Sequence, residues 1–388
     1  MERASSSLGP SDGGSSSSLS GTISAPRPQR CTLESLPAEL IEKIFFHSLE
    51  INLPRASWHI ARILSKPIIY KWLVRVAFSS SNTSSKHDFF TPDFLPPPLT
   101  YWAVSPSERT HLQTTILECR WCTLQLIRQC QQDYVKQIIR QKCKDLVFSD
   151  RDQQILDNID QWFSRPMEFD LAVHGRRGSG DLVMKAKKKH TPAAPATTAT
   201  STAAETTPTA APVTTFSDVR ISFWIHFGAV QIGEPSPVSY EIDQFRLPCA
   251  PSLDERPRMP NKLLRPPWTA EKLEFLLLLS QEAWIDEDTH SSDRSHLVLR
   301  QLIRDRDYLT FEKLLYMNVV SKNYSYPQNW PVKTRHFRAA VKYARGRNDP
   351  FVRLLYHQRW HVLGERERDV KAEVLNNLDV SARRLNFE

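Results

Sequence analysis

The residues of this chain most able to do chemistry are four cysteines. Cys119 and Cys122 form a C-x-x-C pair, and Cys130 and Cys143 follow within a few turns. Such thiols can hold zinc when two pairs converge on a turn. Here the pair lies in TILECRWCTLQLIRQC, which reads as one continuous helical run. That run puts Cys119, Cys122 and Cys130 on one apolar side. They are therefore read as buried free thiols, which behave as small hydrophobes. No metal ligand and no cofactor is assigned. Gly175-Arg176-Arg177-Gly178-Ser179-Gly180 has the glycines of a phosphate cradle, but no helix start follows, so it reads as a hairpin turn. GxGxxG, HExxH and a phosphate loop are missing. His226 sits in an alternating strand pattern, where a structural histidine is the default. With no nucleophile beside a base, the expectation is a protein without catalytic residues.

The pattern that carries most information is a binding one. In Leu36-Pro37-Ala38-Glu39-Leu40-Ile41-Glu42-Lys43-Ile44-Phe45, the residues Leu40, Ile41, Ile44, Phe45 and Leu49 recur at helix spacing. Pro37 opens the helix where a missing N–H costs nothing, and Glu39 complements the dipole of its first turn. Asn52, Leu53 and Pro54 give a second start signal, and Ser65 with Pro67 a third, before Ile68, Ile69, Leu73 and Val76. A unit this small cannot bury both faces of its helices by itself. Its apolar excess calls for a partner, either the rest of the chain or another protein.

These three proline-opened helices, with Trp72 in the third, resemble an F-box, the module that docks a protein on the Skp-type adaptor of cullin–RING ubiquitin ligases. The third helix departs from the family pattern: Ile68-Ile69-Tyr70-Lys71-Trp72 is more apolar than the usual basic run before the tryptophan. The resemblance implies a substrate-recognition adaptor with an unidentified protein substrate. It implies adaptor contacts at Leu36, Pro37, Leu40, Ile41, Ile44 and Phe45, with Leu53 and Pro54 from the second start. Leucine-rich repeats and Trp-Asp propeller blades, the common substrate modules of the family, are missing here.

Composition bounds the alternatives. A length of 388 residues suggests two or three domains. No apolar run is long enough to cross a bilayer, so no membrane partner is expected. No apolar leader follows Met1, so the thiols are expected to be reduced, in cytosol or nucleus. The net charge is +8, and after Gln301 seventeen Lys and Arg face ten Asp and Glu. A nucleic-acid partner is disfavoured, because acids and bases are mixed and no aromatic residues interleave with a basic run. The alternatives kept are a ligase-independent F-box-like scaffold and a nucleic-acid binder using the basic C-terminal helices.

The expected fold is mainly α with a small antiparallel β-sheet (α+β). Residues 1–30 read as a disordered Ser-rich head, 31–79 as the F-box-like module and 80–100 as a connector. Residues 101–165 read as helical, with an apolar stripe of Leu124, Ile127, Tyr134, Ile138 and Ile139 and a cap at Ser149 or Asp150. Residues 166–250 read as the sheet region: Met167–His174 and Leu182–Lys185 as a hairpin, Val219–Val230 and Val238–Phe245 as further strands. Residues 187–215 read as a disordered insertion, since Thr191–Thr215 holds almost nothing but Ala, Thr and Pro, with the lysines 185–189 at its base a solvated loop or an import signal. Residues 267–385 read as helical, capped by Thr269, Thr310 and Asp349. There Phe275-x-x-Leu278-Leu279, Phe311-x-x-Leu314-Leu315 and Phe351-x-x-Leu354-Leu355 suggest stacked helical hairpins.

Overall fold

Pro37 and Leu49 bracket the first helix. The chain enters α1 (Ala38–Ser48) directly after Pro37 and leaves it at Leu49, whose φ of 50° is left-handed and whose N–H closes on the Phe45 carbonyl. A 3-10 turn at Leu53–Arg55 leads to α2 (Trp58–Leu64). The cap of α2 is Ser57, whose hydroxyl accepts from the Ile60 N–H, and the Asn52 side chain caps nothing. Pro67 occupies the first position of α3 (Pro67–Phe78). The computed structural model describes residues 32–80, 89–164, 182–190, 215–225, 228–233, 243–245, 257–280, 282–286, 294–321 and 327–378. The proposed head, the strand at Met167–His174, the glycine loop at Gly175–Gly180 and His226 lie outside them, as does residues 191–214 of the insertion.

Next come α4 (Pro106–Glu118), with a Ser105/Glu108 capping box, and α5 (Leu124–Lys142), capped by Thr123. The helical reading of residues 101–165 is broken twice. The chain turns at Cys119–Thr123, and β1 (Leu146–Phe148) interrupts it before α6 (Asp150–Asp157), capped by Ser149, and α7 (Asp160–Phe163). The sheet continues with β2 (Leu182–His190), β3 (Thr215–Trp224), β4 (Ala229–Ile232) and β5 (Asp243–Gln244). Its order is β1-β2-β3-β4-β5, antiparallel throughout. The lysines 185–189 are strand, not loop base, because β2 and β3 pair from Leu182↔Phe223 to His190↔Thr215. The insertion therefore starts after His190 rather than at residue 187. In β3, Ile221 and Phe223 are core residues as expected, but Ser222 and Trp224 beside them are buried too, and Val219 is only half-buried.

The last helices are α8 (Ala270–Ser280), α9 (Arg294–Asp305), α10 (Tyr308–Leu315), α11 (Thr334–Lys342), α12 (Pro350–Arg359) and α13 (Arg368–Leu378). A two-stranded ribbon, β6 (Asn318–Val319) with β7 (Gln328–Asn329), links α10 to α11. Thr269 caps α8 and Asp349 caps α12. The cap of α10 is Asp307, not Thr310, which is buried inside the helix. The hairpins α9–α10 and α11–α12 stack with α13 closing the array. Phe311 and Phe351 meet at 5.1 Å, and His296 and His336 at 5.3 Å. The third FxxLL helix, α8, packs on α5, so the repeat extends to two hairpins rather than three. One apolar cluster runs from Ile41 to Leu378, and Trp224 with Ala229 form a second, small one.

Candidate functional site

The geometry of α1 divides the expected docking residues into two sets. Ile41 and Phe45 are 0% and 2% exposed and belong to the core of the chain itself. Leu40 and Ile44, one turn apart, are 44% and 40% exposed. Leu36, Leu53 and Pro54 are half-buried and Pro37 is exposed. The same helix thus has an inner edge that anchors it and an outer edge of Pro37, Leu40 and Ile44 that none of the described residues covers. Ile41 and Phe45 can act only through that anchoring.

The anchoring runs through α3. Its residues Ile69, Leu73, Val76 and Phe78 are at most 1% exposed, and it packs on both α4 and α5. Arg75 reaches from α3 to Asp133 at 2.5 Å and to the Phe94 carbonyl at 3.1 Å. Tyr70 stacks flat on Trp121 at 4.3 Å, and Trp72 meets Phe46 edge-on at 5.9 Å. Gln113 donates to the Ala77 carbonyl at 2.7 Å, and Arg109 donates to the Val76 carbonyl. The apolar run of α3 forms the seam with the body.

Two further exposed apolar residues lie on the same module: Trp58, 82% exposed at the start of α2, and Ile68, 44% exposed at the start of α3. A Lys66–Glu42 ion pair at 2.5 Å ties the start of α3 to α1. Sequence reasoning missed Trp58 as a surface anchor. Its signal was the preceding Ser57, a cap that fixes Trp58 as a first-turn residue. Burying the exposed part of Leu40, Ile44 and Ile68 is worth on the order of 1 kcal/mol each, and tryptophan is the residue type most enriched at binding hot spots.

Beside the C-terminal end of α1 lies a cavity of about 510 Å³, floored by Phe46, Ile51, Leu99 and Leu112 and rimmed by Glu50 and Glu108. The Ser105 hydroxyl, with the Ser105 backbone N–H, holds the Glu108 carboxyl below the usual range. Its carboxylate is thereby committed to the α4 cap.

The cysteines are placed differently from their expected helix face. Cys119 and Cys122 occupy the turn between α4 and α5, while Cys130 is inside α5 and Cys143 ends it. Glu118–Thr123 reads as helical from its apolar periodicity alone, and the turn arises because the core requires α4 and α5 to lie side by side. Lys262 clamps the turn, donating to the Cys119 carbonyl at 2.5 Å and the Cys122 carbonyl at 2.7 Å. An ammonium at this point disfavours a cation beside it. Burial pushes the Cys122, Cys130 and Cys143 thiols up to about 12, and it lowers the Lys262 pKa. Among the described residues no group of three or more His, Cys, Asp or Glu side chains could hold a metal ion, and no helix is long and apolar enough to cross a membrane.

Comparison with protein-family models, with curated proteins and with solved structures finds no match in any of the three.

Proposed function

We propose that this chain is a non-catalytic substrate adaptor, docking through residues 33–78 on the Skp-type adaptor of a cullin–RING ubiquitin ligase and presenting a protein substrate from its helical body. The observation that carries the reading is the split of α1: Ile41 and Phe45 hold it in the core while Leu40 and Ile44 stay outside, directly after the Leu36-Pro37 start. Leu40 and Ile44, one turn apart, give α1 a second apolar edge that the core of the chain does not use. The contact is an apolar helix edge offered to a groove, with a few anchors supplying most of the energy. The proposed ligase partner places the protein in cytosol or nucleus.

The test is co-purification of the tagged full chain with its partners, read by mass spectrometry. The wild type is compared with Leu40→Lys/Ile44→Lys and with Leu36→Ala/Pro37→Ala. Adaptor and cullin recovered with the wild type, and at least about tenfold less with folded Leu40→Lys/Ile44→Lys, is the expected result; tenfold corresponds to about 1.4 kcal/mol. Equal recovery with that folded variant, or no adaptor with the wild type, overturns the proposal.

A further inference from the structure

We propose that the outer surface of α9 and the cavity beside it form a docking site for a linear peptide in which one bulky apolar side chain is flanked by acidic residues. The site has two adjoining parts. The first is a cavity of about 470 Å³ between α9 and the segment Asn261–Trp268, walled by Leu264, Pro266, Trp268, Leu297 and Val298. That volume lies within the range of ligand pockets, about 300–1,000 Å³. Leu297 is 60% exposed at its mouth, an apolar residue on a helix whose other apolar residues are buried. An apolar side chain of a partner would be covered there by the half-buried indole of Trp268 and by Leu297.

The second part is charge. Leu297, Arg300, Gln301 and Arg304 succeed one another at helix spacing and form the outward stripe of α9. Arg300 is exposed and makes no hydrogen bond or ion pair among the described residues. Arg304 donates to Gln301 at 2.5 Å and to Asp305 at 3.4 Å, so Asp305 offsets part of its charge. Arg265 is exposed on the cavity's far wall, and Arg294 is held at its edge by the Met259 and Ile285 carbonyls. Guanidinium groups thus lie on both sides of an apolar cavity. The exposed charges of this surface are the guanidinium groups of Arg265, Arg300 and Arg304, so its complement is acidic.

A peptide fits this surface better than a nucleic acid. Single-stranded nucleic acids are held by successive exposed aromatic rings, whereas this site offers one half-buried indole and an aliphatic mouth. Anchor-in-pocket recognition with flanking ion pairs is a peptide mode. The inference goes beyond the docking of α1 and does not depend on it. If that docking holds, this is the surface that selects the substrate.

The test is selection of a display library of random peptides on the immobilised full chain, followed by anisotropy titration of a labelled selected peptide. The expected peptides carry Leu, Phe or another large apolar residue between Asp and Glu, and alanine at the apolar position weakens binding at least tenfold. Arg300→Glu/Arg304→Glu and Leu297→Asp change exposed residues only, so they should keep the wild-type urea midpoint and lose at least tenfold in affinity. No enrichment, enrichment of basic sequences, or affinity unchanged in the folded variants overturns the proposal. So does a single-stranded oligonucleotide that displaces the peptide and binds more tightly. Should a variant unfold, the alanine-substituted peptide decides alone: equal affinity for it overturns the anchor. Because no ligase component is present, the outcome is separate from that of adaptor capture.

Discussion

Replacing Asp349 by alanine should destabilise the chain by about 4 kcal/mol. Asp349 sits in the turn of the α11–α12 hairpin, against Arg306 in the turn of the α9–α10 hairpin, with its side chain 2% exposed. One carboxylate oxygen accepts from the Phe351 N–H at 3.0 Å and so caps α12; the other accepts from the Arg345 N–H at 3.2 Å. Arg306 closes on it at 2.6 Å, with its own side chain 15% exposed. Loss of the cap costs about 1 kcal/mol. Removing one partner of a buried ion pair costs about 3–5 kcal/mol, because the other charge stays behind unneutralised. Arg306 would still donate to the Tyr343 carbonyl at 3.0 Å and lie 4.4 Å from the centre of the Phe351 ring, which holds the total near the lower end. The assay is urea unfolding with the slope held common to all variants. Arg306→Met should cost about 2 kcal/mol, since the Asp349 carboxylate keeps its two backbone donors. The double variant should fall short of the sum by at least about 1.5 kcal/mol, the coupling of a contacting pair. A cost below about 1 kcal/mol for Asp349→Ala, or strict additivity in the cycle, refutes the claim that this pair locks the stack.

Three further outcomes follow from the described geometry. Burial holds the His336 pKa down to about 4, with Arg335 adding to the effect, against 6.5 unfolded. The stability this contributes is complete above about pH 7 and is lost as pH falls from 6.5 towards 4, because the unfolded chain takes up the proton first. Urea unfolding at pH 7.5 and pH 5 should show about 2 kcal/mol more loss in the wild type than in His336→Gln, and equal losses would refute it. Gly228 has φ +58°, and a Cβ there would lie 3.1 Å from Phe245 Cβ and 3.2 Å from Gln131. Gly228→Ala should cost about 2–3 kcal/mol from left-handed strain and overpacking, seen as a lowered thermal midpoint; an unchanged midpoint contradicts it. With their thiols held near 12 by burial, Cys122, Cys130 and Cys143 should resist iodoacetamide at pH 8 until urea unfolds the chain. Peptide mapping that finds them modified in the native protein would argue against their burial.

Much of this molecule was legible in the sequence because the governing physics is local. Pro37, Pro67 and Asp349-Pro350 mark helix starts by removing an N–H or supplying a cap, and the structure starts helices at each. Alternation in Val219–Ile225 marked a strand, though not its burial, since Ser222 and Trp224 are buried beside Ile221 and Phe223. The α+β class followed from these periods alone. Local pattern failed where two choices were nearly equal. Thr310 and Asp307 are both acceptable caps, and only the packing of α10 decides for Asp307. Glu118–Thr123 carries helical periodicity, yet it turns so that α4 and α5 can both pack on α3.

The site divides in the same way. The sequence set out an apolar helix edge at Leu36–Phe45 with more hydrophobic surface than a small unit can bury. Periodicity puts Leu40, Ile41, Ile44 and Phe45 on one side and cannot rank them. Only the tertiary structure, by docking α3 on α4 and α5, sends Ile41 and Phe45 inwards and leaves Leu40 and Ile44 outside. The reason is geometric: a helix side spans an arc wide enough for both, and where the core boundary crosses that arc is set by residues distant in the chain, such as Asp133 and Gln113. The surface of α9 shows the same limit. Leu297 and Leu299 are the same residue type two positions apart, one 60% exposed and the other 0%, and the packing of α9 against α11 separates them.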